Sequence, residues 1–327
     1  MTRLSIRRFI AALAIFSAAV FLAAPACAQS FPSKPLKIIV PFGAGGVADL
    51  TARTVAQKLS QSLGQPVVIE NKPGAGGVVA SDTVAKAEPD GHTLLLMSNG
   101  NAVSATLFKS LPFDTVRDFT PVSTLGFFDI AVVTATESKF KTLAELLAYA
   151  RANPGKLNIG SINIGSTQNL AAELFKTHAG VDMQIVPFNG TPAVINALRG
   201  GQIDAAVEIL APIMGQIKGG ALRALALTSE KRSTLLPDVP TANESGMTGY
   251  VASSWNALAV PARTPKDVVA KLNREIVAAV NSPEVKQRLH ELHIEARSST
   301  PEQAQEFLLS EIKRWGDVIQ RANIPRQ

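Results

Sequence analysis

The chain has 327 residues, 46% of them hydrophobic and 18% charged, with a formal net charge of +6. The positive excess is spread along the chain, with no Lys/Arg block and no interleaved aromatics, which excludes a nucleic-acid footprint. The one cysteine, Cys27, falls in a leader-like segment, so a processed chain has no thiol catalysis, no disulfide and no cysteine-based zinc site.

That leader opens with Arg3, Arg7 and Arg8, continues with an apolar run from Phe9 to Ala24, and ends in the small-x-small site Ala26-Cys27-Ala28. Residues 1–28 read as a signal peptide cleaved after Ala28, with a periplasmic destination. Arg7-Arg8-Phe9-Ile10 has a loose twin-arginine flavour, and Cys27 invites a lipobox reading for which Ala24-Pro25-Ala26 is a poor lead-in. No stop-transfer pattern follows. The rest of the chain is too long for one comfortable core and suits two domains.

Along the chain, strand-like runs fall at Lys37–Val40, Val67–Glu70, His92–Met97, Ile130–Val133, Leu157–Gly160, Met183–Val186, Ala205–Glu208, Leu222–Leu227 and Ala257–Val260. Several are unbroken Val/Ile/Leu runs, as in parallel strands covered on both faces. A helix over Leu50–Leu63 puts Ala52, Ala56, Leu59 and Leu63 on one face and stops at Gly64. Thr142 with Glu145 forms a capping box, and Pro154-Gly155 ends the helix it starts. Thr264-Pro265, Ser282-Pro283 and Thr300-Pro301 read as N-cap plus first-turn proline, the last with Gln303 at the third position. The pattern is α/β with largely parallel sheets. Two sheets fit one chain that leaves the first lobe, builds the second and returns. The crossings are expected at the irregular stretches Leu111–Gly126 and Tyr250–Asn256. Paired crossings make a hinge, with the ligand in the cleft between lobes.

Small-residue loops follow the strands, where open α/β sheets bind ligands. They are Phe42–Asp49, Asn71–Gly77, Ser98–Asn101, Gly160–Thr167 and Pro187–Pro192. Most precede a helix, whose start offers free N–H donors and partial positive charge. Glycine lets backbone approach closely, and Ser, Thr and Asn add neutral donors, so these loops suit a carboxylate. Gly43-x-Gly45-x-x-Ala48 also fits the dinucleotide fingerprint, with Glu70 ending the next apolar run. Pro41-Phe42, however, interrupts the junction where that fingerprint wants the strand to meet its first glycine. No cofactor is expected.

Ile39 to Asp49 followed by Ala52-Arg53 resembles the first loop of the Bug family, the extracytoplasmic solute-binding proteins of tripartite tricarboxylate transporters. Val68–Gly77 and Pro89–Leu95 are similar to that family's next motifs, and Val186–Thr191, Gly201–Asp204 and Trp255–Pro265 complete the set. The resemblance implies a two-lobed Venus-flytrap fold, each lobe a mainly parallel sheet flanked by helices, joined by a double-crossover hinge. Lobe 1 is expected over residues 29–131 and 253–327, and lobe 2 over 132–252. It implies a receptor, not an enzyme, that hands a small carboxylate to a membrane permease, and a monomer is expected. Carried onto this chain, the ligand-binding residues are Phe42, Ala44, Gly45, Gly46 and Asp49 in the first lobe and Ser161, Ser166, Thr167, Asn189, Gly190 and Thr191 in the second. Ser98, Asn99 and Glu208 join them from the loop ends.

The chain departs from the family at Phe188-Asn189, where Tyr-Lys is common, at Asn169, commonly His, and at Val207-Glu208, commonly Phe-Asp. Glu208 then either suits a ligand with an amino group, directly or through water, or caps a turn. Asp49 is either a ligand-side group or a first-turn helix acid favoured by the dipole. Phe42 and Phe188 either sandwich a flat ligand or form pocket wall. His290 and His293 stand three apart on a helical stretch, as a metal pair or as a solvated face, and no metal is expected. A hydrolase or lyase using Asp49, Glu208 or His92 would need a base beside a nucleophile, and no such arrangement is visible. A sensory receptor for a two-component kinase shares the same ligand physics as a transport receptor.

Overall fold

The apolar runs become the spine of a ten-stranded mixed sheet. The computed structural model describes residues 31–162, 166–233, 235–321 and 324–326, and the fold below is that of Lys34–Gln327. The leader and its cleavage site after Ala28 lie outside the described residues.

In chain order the elements are β1 (Leu36–Val40), α1 (Val47–Leu63), β2 (Val67–Asn71), α2 (Val78–Ala85), β3 (Thr93–Ser98), α3 (Asn99–Leu107), β4 (Phe119–Ala135) and α4 (Leu143–Ala152). Then come β5 (Asn158–Ile162), α5 (Thr167–Ala179), β6 (Gln184–Phe188), α6 (Thr191–Arg199), β7 (Ala205–Ile209), α7 (Leu210–Lys218) and β8 (Leu222–Leu227). The chain returns through β9 (Ser253–Pro261), α8 (Lys266–Asn281), α9 (Pro283–Glu291), β10 (Glu295–Ala296) and α10 (Pro301–Arg321).

Strand order is β2-β1-β3-β9-β4-β7-β5-β6, with β8 and β10 also on β4. β2, β1 and β3 run parallel to one another, as do β6, β5 and β7. Every pairing of β4 and β9 is antiparallel. The expectation of mainly parallel sheets therefore holds for the outer strands and is corrected at the centre.

β4 belongs to both strand groups. From Phe119 to Asp129 it pairs with β9, and from Ile130 onward with β7 and β8. The stretch expected to be an irregular crossing, Leu111–Gly126, is thus strand from Phe119 on, and β9 starts at Ser253, inside the second expected crossing. Pro121 and Gly126 hid the first of these. The register of β4 against β9 shifts between Pro121 and Ser123 and again between Thr124 and Gly126. Such bulges accommodate residues that a regular central strand rejects. Gly126 is required by close approach, because a Cβ there would stand 2.6 Å from Ile294 Cγ2.

The register also fixes which strand ends face each other. Going from Leu95 to Ser98, β3 pairs with Ala259 back to Asn256, advancing towards Ser253 and its partner Asp129. Going from Ala206 to Ile209, β7 pairs with Val133 back to Ile130. The C-terminal ends of both parallel groups therefore point at the same Asp129–Ile130 step from opposite sides. The loops that follow those strands gather there.

The two passages between strand groups lie side by side. Thr228, just after β8, donates its N–H to Ile130 O (2.8 Å) and accepts from Ala252 N–H (2.9 Å). Its hydroxyl lies against both Ile130 O and Ala252 O. On the side of the first group, Glu311 of α10 is buried and accepts from Trp255 Nε1 (3.1 Å), Trp315 Nε1 (3.2 Å) and Arg314 Nη2 (2.8 Å). A buried carboxylate persists because each such bond replaces water.

Locally coded helix starts form where expected. Thr142 Oγ1 accepts from the Glu145 amide, Ser282 caps α9 ahead of Pro283, and Thr300 exchanges bonds with Gln303. Thr264 is one residue out, since Pro265 itself is the N-cap of α8.

Thr228→Val removes the hydroxyl that links the two passages and leaves Ala252 O without it. The variant is expected to lose roughly 1–3 kcal/mol of unfolding free energy in a urea melt, as for a buried group deprived of its partner. An unchanged melt would show that the bond does not hold the passages together.

Candidate functional site

Several helices begin at this junction, among them α1, α5 and α6, which follow the candidate loops. α1 starts after Gly46 and α6 after Gly190, and no side chain caps either. α5 starts after Ser166, whose Oγ accepts from the Asn169 amide (3.1 Å). The first-turn N–H groups of a helix lack an i−4 partner and are not capped by a glycine side chain. At α6, however, Pro192 has no N–H, Ala193 N–H donates to Gly190 O (3.2 Å) and Gly190 N–H to Phe188 O (3.0 Å), which leaves the Thr191 amide. Gly45 at φ +82° and Gly190 at φ +92° hold conformations that side chains disfavour, so glycine is needed in both turns.

The first loop is exposed from Phe42 to Gly46, and Phe42 is 40% exposed. It is braced from behind by Asp49, which is 1% exposed. Asp49 Oδ2 accepts from Gly45 N–H (2.9 Å) and Arg53 Nε (2.9 Å), while Oδ1 accepts from Asn71 Nδ2 (2.8 Å). Asn71, at the end of β2, also donates to Phe42 O (3.0 Å). Burial alone would push the Asp49 carboxyl upward, but the bonds from Arg53, Gly45 and Asn71 outweigh it and hold it below the ordinary carboxylate range. Both Asp49 oxygens are occupied by the loop and its neighbours. Asp49 therefore shapes the first turn by engaging the Gly45 amide, and the Ala44 and Gly46 amides remain in the exposed part of the loop.

Ser98 and Asn99 are likewise engaged. Ser98 caps α3, accepting from Gly100 N–H and exchanging bonds with Asn101. Asn99, fully buried, donates to Ser253 O (3.0 Å) and accepts from Trp315 Nε1 (3.3 Å). These two tie the end of β3 to β9 and α10.

Across the step, Ser161 is buried and accepts from Asn169 Nδ2 (3.3 Å), and Ser166 Oγ donates to Ile162 O (2.7 Å). Thr167 opens α5. Residues 163–165, the middle of that expected loop, lie outside the described residues. Asn189 is exposed, and Gly190 and Thr191 are partly so.

Glu208 lies under the starts of α5 and α6. It sits in β7 opposite Ala131, fully buried, and so caps no turn. Its Oε2 accepts from Thr191 Oγ1 (3.0 Å) and Gln168 Nε2 (3.4 Å), and its Oε1 has no hydrogen-bond partner among the described residues. Desolvation raises its pKa to about 7, partly offset by bonds from Thr191, Gln168 and the Ile209 amide. Gln168 and Asn71, neither of them expected from the sequence, are the residues that link segments here. Their signal is weak, because amide side chains occur throughout the chain and only the fold shows what they join.

The remaining candidates lie elsewhere. His92 stands at the N-terminal end of β3, beside Asp90 (3.3 Å), at the opposite end of that strand from the loops. His293 lies past the end of α9 with φ +58°, so His290 and His293 do not share a helix face. Among the described residues no group of three or more His, Cys, Asp or Glu is placed to hold a metal. No helix among the described residues is long and apolar enough to cross a membrane. A crevice of about 180 Å³ between α5 and α10, lined by His178, Arg314 and Arg321, is separate from the glycine loops.

Two groups of parallel strands, joined by paired passages and presenting helix starts to one junction, define a solute-binding receptor of the periplasmic binding protein type. The model of the tripartite tricarboxylate transporter family receptor matches residues 51–324, and the chain belongs to that family. Protein BugT of Bordetella pertussis (strain Tohama I) is 38% identical over 319 residues, covering 97% of this chain and 98% of BugT. The solved structure of periplasmic binding protein BugD is 31% identical with TM-score 0.79, covering 91% of this chain and all of BugD. R. palustris Rpa4515 with adipate (32% identity, TM-score 0.81) covers 90% of this chain and 99% of that one. MatC from Rhodopseudomonas palustris with bound malate (32%, TM-score 0.77) covers 88% of this chain and all of MatC.

The Glu208 carboxyl gives a stability signature whose sign follows from its raised pKa. The folded state holds the proton more tightly than the unfolded chain, so this contribution is fully present below about pH 4.5 and is lost as pH rises through about 7. Relative to Glu208→Gln, the native chain should lose on the order of 3 kcal/mol between those limits. Parallel stability–pH curves for the two would contradict this.

Proposed function

We propose that this chain is an exported receptor that closes on one small carboxylate and delivers it to a membrane permease, making and breaking no covalent bond. Residues 29–131 with 253–327 form one lobe and residues 132–252 the other. The observation that carries the reading is the pair of glycine-capped helix starts, Gly46 and Gly190, on opposite strand groups and directed at the same step. The adipate of the Rpa4515 structure and the malate of the MatC structure support the ligand class, and BugD supports the periplasmic destination that the leader suggests.

The energetics suffice. A hydrogen bond to a charged group contributes roughly 1.5–3 kcal/mol. Four or five such bonds, less ordering costs, reach the roughly 8 kcal/mol of a micromolar complex. The amides of Ala44, Gly46, Asn189 and Thr191 would supply them, with Phe42 as an exposed apolar wall, while those of Gly45 and Gly190 hold their turns in shape by bonding to Asp49 Oδ2 and Phe188 O. Closure would draw the two starts together by rotation about the paired passages, and the acid would favour the closed form by its contacts in that form.

A thermal-shift screen against C4–C6 dicarboxylates, citrate, amino acids and aromatic acids tests this. A true ligand at 100 times its Kd adds about 2.7 kcal/mol of stability. If nucleotides shift the melt and no acid does, the proposal is wrong. Gly46→Asp places a carboxylate on the uncapped start of α1, where it is a good N-cap. The Cβ it adds meets only Gly43 O, at 3.6 Å. The variant should melt no lower than the native chain and bind the acid at least about 100-fold more weakly, the loss of two charge-assisted bonds. Retained affinity would remove the first loop from the site.

A further inference from the structure

This inference rests on the carboxylate-receptor reading and concerns the far end of the same site. Thr191 is the first residue of α6 and Gln168 the second of α5, and both bond to one oxygen of Glu208. The Glu208 carboxyl therefore lies between two helix starts. The positive potential that such starts would offer to a guest anion is already answered by a buried carboxyl of the protein itself. Thr191 donates its only hydrogen inward, so its hydroxyl oxygen is left with lone pairs. Gln168 turns its NH2 inward as well. Glu208 Oε1 is fully buried, and among the described residues no hydrogen bond to it is formed.

We infer that Glu208 makes this end of the site demand a hydrogen: the ligand group that lands there is an ammonium, a hydroxyl, or a carboxylate that arrives with one solvent proton. A second carboxylate beside Glu208 would put two like charges in one desolvated place, and such pairs ionise only once between them. The balance for a dicarboxylate is one dianion plus one proton from water, shared between its far carboxyl and Glu208. An ammonium needs no added proton and prefers the ionised carboxylate.

No other charge dictates this behaviour. Of the elements around β7, α5 carries Glu173, Lys176 and His178, α6 carries Arg199, α7 carries Lys218, and β4 carries Asp129, while β5 and β6 carry no charged residue. Asp204, just before β7, is bonded to the Asn158 amide (2.9 Å) at the far end of the strand. Glu208 responds to burial and to the neutral Thr191, Gln168 and Ile209 groups, with no charged residue among the causes.

The test is calorimetry on matched pairs of equal chain length: succinate with 4-aminobutyrate, glutarate with 5-aminopentanoate, and adipate with 6-aminohexanoate, each between pH 6 and 9. Dicarboxylate affinity should fall about tenfold per pH unit above roughly pH 7, with one proton taken up per ligand at pH 8 when two buffers are compared. The amino member of the pair should bind as tightly or more tightly as pH rises. Glu208→Gln should abolish both trends and shift the affinity ratio within a pair by at least about tenfold. Should that variant not fold, the two slopes and the proton count of the native chain decide. A dicarboxylate whose Kd stays within about twofold from pH 6 to 9, or a slope that survives Glu208→Gln, overturns the inference and leaves the receptor reading intact. Failure of every acid to bind the native chain overturns the receptor reading instead.

Discussion

The pairing of β4 with two strand groups in succession is the constraint on which the site depends. A strand has one direction, so its partners on either side of the Asp129–Ile130 step inherit fixed orientations through their registers. β9 passes the constraint on to β3, and β7 passes it to β5. The result is two parallel groups whose loop-bearing ends oppose each other. Without the shared strand, glycine-capped helix starts would be ordinary turns on unrelated faces. With it, starts from separate parts of the chain address a single space.

The two sides of that space are built differently. On the first, Asp49 is buried and kept ionised by Arg53, Asn71 and the Gly45 amide, and it braces a loop that spends its Gly45 donor on that bond and keeps the Ala44 and Gly46 amides in its exposed part. On the second, Glu208 is buried and poorly supplied with donors, so its charged form is disfavoured. The two carboxyls thus have opposite titration behaviour, because Asp49 has the Arg53 charge and donors at both oxygens, whereas Glu208 is the more deeply desolvated and has only neutral donors. The first side is fit to receive an anion, and the second discriminates among what the anion carries at its other end.

What could be read from the sequence divides by range of interaction. Helix starts set by residues three apart, such as Thr142 with Glu145 and Thr300 with Gln303, form as their spacing predicts, because the chemistry is complete within one turn. Parallel strands of unbroken Val, Ile and Leu were equally legible. β4 was legible only over Ile130–Val133, since bulges let Pro121 and Gly126 into its first half, a stretch that their presence argues against as strand. The brace on the first loop was half legible: Arg53 is four residues from Asp49 on one helix, whereas Asn71 arrives from the next strand, 22 residues on. The setting of Glu208 was not legible at all, because it is assembled from β7, α5 and α6, which only the fold brings together. Among the expected site residues, Ser98 and Asn99 from the loop reading and Ser161 and Ser166 from the family likeness have side chains engaged in the protein's own hydrogen bonds.

The central claim is that one acid is held by main-chain groups from both sides at once. The most direct test is an amide spectrum of the chain carrying isotope-labelled glycine, followed as the tightest-binding carboxylate is added. The account predicts that Gly45, Gly46 and Gly190 signals move together along one binding curve. Movement of the first loop with Gly190 unchanged, or separate curves for the two, would contradict it.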